Sequence, residues 1–209
     1  IEGLRRALGV AEMVLVGHSF GGMLALEYAA RHPERLAGLV IVSGLWSIPR
    51  QCRLRLETLR TLRPEAYARV AADTLSADGC AVESQAFESQ VAREAYDLEA
   101  MHLDPDVQAR IDSVNAAHGT VNTGEMGRAL FGSGALDTYE FDEFERLSMP
   151  VLVIGGLRDG VTRPEGLREL VERVPDGRFV GYPASGHFPY LNEPERFAND
   201  VSAFVTALR

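Results

Sequence analysis

The sequence predicts an α/β fold, in which a parallel sheet is flanked by helices and carries a helical insertion. Two observations support this prediction. Short, unbroken apolar runs alternate with segments of helical periodicity toward both ends of the chain, and the middle contains helical patterns without a convincing strand. Unbroken apolar runs fit strands that are buried on both faces of a parallel sheet, and their alternation with helices is typical of βαβ units.

The first part of the chain supplies two predicted helices and two predicted strands. An amphipathic helix is predicted over Ile1 to Leu8, and a strand over Met13 to Gly17. Gly21 to Arg31 has a helical composition, and Leu36 to Val42 is a second apolar run. Apolar residues three and four positions apart indicate the helices, whereas the strands are continuous apolar runs.

The last part of the chain continues the alternation. A third strand is predicted over Val151 to Ile154, a helix over Glu165 to Val174, and a fourth strand over Arg178 to Tyr182. A final helix is predicted over Pro194 to Leu208. This helix is amphipathic, and its single apolar stripe consists of Phe197, Val201, Phe204 and Leu208.

The segment between the second and third strands is predicted to be a helical insertion. Helical patterns cover Leu54–Leu62, Pro64–Leu75, Val82–Met101 and Pro105–Asn115. We therefore expect residues 1–46 and 147–209 to form the sheet core and residues 47–146 to form a helical cap.

Composition excludes several classes of protein. The 209 residues are 46% hydrophobic and 24% charged, which is ordinary globular usage and excludes an intrinsically disordered chain. The 30 acidic residues outnumber the 21 basic ones, for a net charge of -9. Because this field repels polyanions, nucleic acids and anionic membrane surfaces are disfavoured as partners.

The sequence also predicts a chain without a membrane span or a metal site. No apolar run reaches the roughly 18 residues of a transmembrane helix, and no secretory signal pattern is present. Cys52 and Cys80 lack metal-ligand spacing and favour an intracellular chain with two thiols over a disulfide scaffold. We expect a cytoplasmic protein without metal or cofactor. The first residue is Ile1 rather than Met, so an N-terminal segment, with any targeting signal it carries, is expected to precede it.

The motif that indicates chemistry is G-x-S-x-G at residues 17–21, between a predicted strand and a predicted helix. A nucleophile elbow requires this context, because a tight strand-to-helix turn lifts the serine side chain above the end of the strand. The turn leaves little room for side chains, so we expect glycine to be required at Gly17 and Gly21. Gly22 would allow the helix to lie close to the sheet. Ser19 is therefore the candidate nucleophile.

A serine nucleophile needs a base, and the base needs a group that orients it. In proteins with this elbow the chain order is Ser, then Asp or Glu, then His. Asp159 follows the third predicted strand, in GGLRDG, and His187 follows the fourth, in SGHFPYLNEP. Asp159 and His187 thus have the chain order, and the positions after strands, that proteins with this elbow require.

These residues make the chain resemble the α/β-hydrolase superfamily, in its esterase, lipase and aminopeptidase branches. The segments GHSFGG, ALEYAARHPERLAGLVIVSG, MPVLVIGGLRD and SGHFPYLNEPERF carry the resemblance. It covers residues 1–46 and 147–209, and it describes the insertion only as a helical cap. The cap and flanking segments weakly resemble the proline iminopeptidase type.

The resemblance implies a role for each candidate residue. Ser19 would be the nucleophile and His187 the general base and acid, while Asp159 would orient His187 and stabilise its cation. The backbone N–H of Phe20 would be one oxyanion donor. His18 would pack under the elbow as a structural residue.

The chain departs from the resemblance in its number of strands. The superfamily's complete sheet has eight strands, whereas only the counterparts of the last four are found. The first half of the sheet normally supplies the second oxyanion donor. We therefore expect a fragment, an incomplete gene model, or a chain whose Met13–Val16 strand pairs edge-to-edge with another copy, because that strand would be an exposed apolar edge.

Three functions remain open on the sequence. The first is a serine hydrolase of small esters, lactones or thioesters, and the second is an aminopeptidase of the proline iminopeptidase type. The third is a non-catalytic binding protein on a hydrolase scaffold. Trp46, Phe131 and Phe188 are the candidate substrate-pocket residues. The substrate would be a small molecule or a short peptide.

Overall fold

The computed structural model describes residues 1–74, 105–120, 125, 129 and 136–208. Within these residues, four parallel strands form one sheet in the order β1-β2-β3-β4. The strands are β1 (Met13–His18), β2 (Leu36–Val42), β3 (Val151–Gly156) and β4 (Gly177–Tyr182). All four agree with the predicted strands.

The register of the sheet brings the carboxyl ends of the strands to one edge. Gly17 pairs with Ile41, Ile41 with Val153, and Ile154 with Val180. In an open parallel sheet, ligands bind in the crevice outside this edge. The turns that follow β1, β3 and β4 all lie there, so the fold can bring together residues that are distant in the sequence.

Helices connect the strands, as predicted. They are α1 (Glu2–Ala7), α2 (Phe20–Arg31), α3 (Ile48–Leu62), α4 (Pro64–Thr74), α5 (Pro105–Ala117), α6 (Pro164–Arg173), α7 (Pro189–Asn192) and α8 (Pro194–Ala207). Short 3₁₀ turns occur at Pro33–Arg35 and Phe144–Arg146. No helix in the described part of the chain is long and apolar enough to cross a bilayer.

Helix α3 begins earlier than predicted, at Ile48 rather than Leu54. The Ser47 side chain caps it by accepting a hydrogen bond from the Arg50 N–H at 3.1 Å. Pro49 lies in the first turn, where its fixed φ is compatible with a helix. The serine cap and the proline are ordinary signals for the start of a helix, and apolar periodicity alone does not locate them.

Two layers of helices cover the sheet. On one face, the apolar stripe of α8 packs against the buried side chains of β2 and β3; the contributing residues are Val40, Val42, Leu152, Ile154, Phe197, Val201 and Phe204. On the opposite face, α2 and α6 pack against a larger core that includes Leu26, Leu39, Ile41, Val153, Leu167 and Leu170. Successive residues of β2 alternate between the two clusters, as the period of a strand requires.

The strands of the sheet differ in burial. Every residue of the inner strand β3 is buried, whereas the outer strands of the described sheet, β1 and β4, are mostly half-buried and Val16 is 49% exposed. Among the described residues β1 pairs with β2, and it forms one edge of the sheet.

The predicted insertion contains helices α3, α4 and α5, and its predicted helix at Val82–Met101 lies outside the described residues. The end of the insertion packs with the sheet core. Phe141 donates its backbone N–H to the carbonyl of Trp46 at 2.7 Å, and Phe141 and Phe144 belong to the larger core cluster. The exact limits of a separate cap stay a prediction.

Candidate active site

Ser19 occupies the sharp turn between β1 and α2. Its φ is 53° and its ψ is -121°, a conformation that a residue with a side chain adopts rarely. Its N–H donates to the Val42 carbonyl at 3.0 Å, and its carbonyl accepts from the Gly22 N–H at 2.8 Å. Strained backbone of this kind persists only where surrounding structure fixes it, and it is concentrated at functional sites.

Glycine is required at one of the two predicted positions in this turn. A Cβ at position 17 would lie 2.4 Å from the Gly21 carbonyl oxygen and 2.8 Å from the Ala25 Cβ. The prediction that position 21 also needs glycine is wrong, because a Cβ there would meet no atom within 4 Å. Gly22 does permit close packing, since its Cβ would lie 2.7 Å from the Gly44 Cα.

His187 lies between Ser19 and Asp159. It follows β4, and its Nε2 lies 3.0 Å from the Ser19 Oγ. Its Nδ1 lies 2.9 Å from the Asp159 Oδ2. A carboxylate can only accept, so Nδ1–H donates to Asp159 and Nε2 is left to accept the Ser19 hydroxyl proton. The three residues that the sequence predicted are thus joined by one chain of hydrogen bonds.

Asp159 is fully buried in the turn after β3. Its Oδ1 accepts hydrogen bonds from the backbone N–H groups of Val161 and Thr162, both at 2.8 Å. The Thr162 hydroxyl in turn donates to the Ser43 carbonyl at 3.0 Å. The turn therefore occupies one carboxylate oxygen with backbone donors and leaves the other for His187.

His18 supports the loop that carries His187. Its Nε2–H donates to the His187 carbonyl at 2.8 Å, and its ring lies 5.1 Å from Phe188 and 5.2 Å from Tyr190 between ring centroids. Burial lowers the pKa of His18 below the ordinary 6.5. A neutral ring with its proton on Nε2 satisfies the carbonyl, which fits the structural role expected for this residue.

The predicted pocket residue Trp46 has the contacts of a core residue. It is 4% exposed, and its Nε1–H donates to the Gly166 carbonyl at 2.7 Å. The Arg173 guanidinium lies 4.5 Å from the ring centroid, and the Phe144 ring lies at 5.8 Å. The structure thus places Trp46 among the helices beside the sheet, and its predicted pocket role stays a prediction.

The other predicted pocket residues are placed differently. The Phe188 ring lies 5.1 Å from the His187 ring and nearly perpendicular to it. Phe131 lies outside the described residues. Phe20 is the first residue of α2 and follows Ser19 directly in the chain. The oxyanion role of its backbone N–H stays a prediction.

Sequence reasoning missed the side chains of α3 that contact the Asp159 turn. The Arg55 guanidinium and the Gln51 amide both donate to the Val161 carbonyl, from Arg55 Nε at 2.8 Å and from Gln51 Nε2 at 3.3 Å. One signal for them was available. Gln51 and Arg55 precede the buried Leu59 at intervals of four, which places both polar side chains on a core-facing side of the helix.

Known proteins resemble this chain in both sequence and fold. A family model described as alpha/beta hydrolase fold matches residues 1–194. The crystal structure of a proline iminopeptidase from Mycobacterium smegmatis is 26% identical, with a TM-score of 0.71, and the match covers 99% of this chain and 69% of that one.

Curated relatives include hydrolases of two kinds. A proline iminopeptidase of Elizabethkingia meningoseptica is 23% identical over 98% of this chain and 70% of its own length. A pimeloyl-[acyl-carrier protein] methyl ester esterase of Chromobacterium violaceum is 28% identical over 90% of this chain and 68% of its own length.

The fold, the elbow and the family match agree on the class of protein. The chain belongs to the α/β-hydrolase family. It is a hydrolase by this relationship, with peptidases and esterases among its relatives.

Proposed function

We propose that the protein is a serine hydrolase that cleaves small esters, lactones or thioesters by acyl transfer through Ser19, His187 and Asp159. The observation that carries this proposal is the continuous chain of hydrogen bonds from Ser19 Oγ to His187 and on to Asp159, at 3.0 and 2.9 Å. This geometry supports the proposal, because acyl transfer needs a base beside the nucleophile and an orienting carboxylate beside the base.

In the proposed acylation step, the Ser19 Oγ attacks the substrate carbonyl carbon while its proton passes to His187 Nε2. The Asp159 carboxylate stabilises the imidazolium that forms. The tetrahedral intermediate carries its negative charge on the former carbonyl oxygen, which would accept a hydrogen bond from the Phe20 N–H at the start of α2. A helix N-terminus favours a negative charge there.

Collapse of this intermediate breaks the bond to the leaving alcohol or thiol, which takes the proton from His187. The acyl group remains on Ser19 as an ester. A water molecule then attacks the acyl carbon and gives its proton to His187, which returns it to Ser19 as the acid product leaves. No metal or cofactor is needed in this scheme.

An aminopeptidase of the proline iminopeptidase type is the second candidate. The same three residues could cleave an amide, and the likeness to the Mycobacterium smegmatis proline iminopeptidase, at 26% identity and a TM-score of 0.71, favours this alternative. The two candidates differ in the leaving group and in the recognition of a substrate amine.

The experiment is to assay the purified protein with a p-nitrophenyl ester series and with proline 2-naphthylamide, beside Ser19→Ala. Ester turnover that depends on Ser19, without amide turnover, supports the first candidate. Release of naphthylamine that depends on Ser19 favours the second. Turnover that persists in Ser19→Ala contradicts both.

The proposal also includes the setting of the enzyme. We expect a cytoplasmic protein, and self-association through the Met13–Val16 edge, where Val16 is 49% exposed, is one of the alternatives left open for that edge. Sedimentation velocity of the protein and of Val16→Lys tests the association. A positive charge on the edge strand should lower the mass of the assembly. A monomer in both samples contradicts this expectation.

A further inference from the structure

The turn that holds Asp159 is contacted from the outside by a buried arginine of the insertion. Arg55 is 4% exposed, and both its Nε and its Nη2 donate to the carbonyl oxygen of Val161. Gln51, one helical turn earlier, donates to the same oxygen at 3.3 Å. Hydrogen bonds from a charged donor are roughly twice as strong as neutral ones.

Val161 is also one of the two residues whose backbone N–H groups hold the Asp159 carboxylate. The Val161 N–H donates to Asp159 Oδ1 at 2.8 Å, and the neighbouring Thr162 N–H donates to the same atom at the same distance. A movement of the Val161 backbone would therefore change the direction of the carboxylate. Asp159 Oδ2 would then no longer face His187 Nδ1 at 2.9 Å.

Packing alone does not account for an arginine here. Transferring a guanidinium out of water is costly, and an apolar side chain of similar volume would fill the space without that cost. Apart from Gln51 and Arg55, the buried side chains of α3 are apolar, as at Cys52, Leu56 and Leu59. A role that requires the donor groups of Arg55 explains its burial better.

We propose that Arg55 is a positioning residue for the reaction, acting through Val161 to orient the Asp159 carboxylate toward His187. Helix α3 thereby becomes part of the catalytic support, although it lies in the insertion and contributes no residue to the hydrogen-bond chain itself. The effect of Arg55 on the reaction rate rests on the proposed function. Its effect on the hydrogen bond between Asp159 and His187 can be tested without reference to that function.

The first test measures that hydrogen bond without reference to activity. A buried imidazole proton that is donated to a carboxylate gives a low-field proton NMR resonance, which Asp159→Ala should abolish and so assign. Arg55→Met should broaden or shift this resonance, and Arg55→Lys should restore it, because lysine can still donate to the Val161 carbonyl. If Arg55→Met does not fold, Arg55→Leu, which also lacks a donor, is measured in its place.

A matched control is available on the same helix. Arg50 forms an ion pair with Glu169 of α6, so Arg50→Met also breaks a contact between α3 and the core, but one that does not include Val161. We expect Arg50→Met to leave the resonance unchanged. A resonance that is lost in Asp159→Ala but unaltered in Arg55→Met overturns the proposal, as does equal loss in Arg50→Met.

The second test uses the rate at which a fluorophosphonate labels Ser19. Misplacement of a catalytic group by about 1 Å can cost roughly 100-fold in rate, so Arg55→Met should label about 10- to 100-fold more slowly. In an Asp159→Ala background, Arg55→Met should slow labelling by less than a further factor of about two. Independent effects on the rate multiply, whereas effects that act through the same residue do not. Full multiplication in the double variant would show that Arg55 acts through general stability and would overturn the proposal.

The two tests separate the inference from the proposed function. A protein that is never labelled but whose resonance depends on Arg55 contradicts the serine hydrolase and supports the positioning role. A protein that is labelled at Ser19 with a rate and a resonance indifferent to Arg55→Met supports the hydrolase and contradicts the positioning role.

Discussion

The turn that presents Ser19 and the turn that holds Asp159 are fixed in place by different kinds of contact. The Ser19 turn is fixed by backbone geometry: a positive φ, a backbone hydrogen bond to Val42, and a contact at Gly17 that admits no side chain. The Asp159 turn is fixed by side chains from elsewhere, since Arg55 of α3 contacts its outer surface.

This difference has a consequence for how each turn tolerates change. Hard-sphere contacts between backbone atoms cannot relax cheaply, so substitutions in the Ser19 turn should act first on folding. Hydrogen bonds from distant side chains can be removed one at a time, so substitutions around the Asp159 turn should change the orientation of Asp159, and hence the rate, at a smaller cost in stability. Four substitutions test this contrast, beginning with the largest expected effect.

The largest effect is expected for Asp159→Asn. The backbone donors at Oδ1 would hold the amide oxygen in place, so its NH₂ group would face His187 Nδ1 and force the ring proton onto Nε2. Nε2 then cannot accept from Ser19, and the labelling rate should fall by about 10⁴-fold. Stopped-flow labelling checks this, with circular dichroism to show an intact fold. A loss below tenfold would mean that Asp159 does not set the tautomer of His187.

The second effect concerns Gly17. In Gly17→Ala the new Cβ would lie 2.4 Å from the Gly21 carbonyl oxygen, so the strand and the helix must separate. We expect a loss of about 3 kcal/mol in the free energy of unfolding, measured by urea denaturation.

Gly21→Ala is the matched control for that prediction. A Cβ at position 21 has open space, and alanine is the better helix former by about 1 kcal/mol. Its stability should therefore equal or exceed that of the unaltered protein. Equal losses in the two variants would contradict the steric account of the turn.

The third effect is expected for Thr162→Val, which removes the hydroxyl donor to the buried Ser43 carbonyl. Losing a partner of a buried acceptor costs about 1–3 kcal/mol. Thr61→Val serves as control, because the Thr61 hydroxyl bonds the Glu57 carbonyl on an exposed face of α3. Thermal unfolding of both variants measures the contrast. A Thr162→Val protein as stable as Thr61→Val would show that this hydrogen bond does not hold the Asp159 turn.

The smallest effect is a pH dependence at His18. Burial lowers its pKa in the folded protein, so the unfolded chain takes up the proton first as the pH falls below 6.5. The stability that the neutral ring contributes is complete above this value and is lost as the pH falls through the folded pKa. Urea unfolding between about pH 7.5 and pH 5 should therefore lose less free energy in His18→Gln than in the unaltered protein. Parallel pH curves for the two proteins would exclude this role of burial.

The same contrast explains how much could be predicted from the sequence. Ser19 was identifiable because the elbow is a local motif, and Asp159 and His187 were identifiable because each follows a strand in the expected order. The strands themselves were predicted from unbroken apolar runs. In each case the signal lies within a short segment whose physics is local.

The contacts between distant segments could not be predicted in this way. Arg55 reaches Val161 across 106 positions of the chain, and Trp46 bonds the Gly166 carbonyl across 120. Neither partner carries a local signal for the other. The steric requirement at Gly21 was overestimated for a related reason, since the space around a residue depends on the path of the whole turn and not on the motif that contains it.

An activated Ser19 can be measured by fluorophosphonate labelling read by intact mass. We expect a single adduct on the unaltered protein and none on Ser19→Ala. A folded protein that gains no adduct, or a Ser19→Ala variant labelled at the same rate, would contradict the account and favour a non-catalytic role for this hydrolase scaffold.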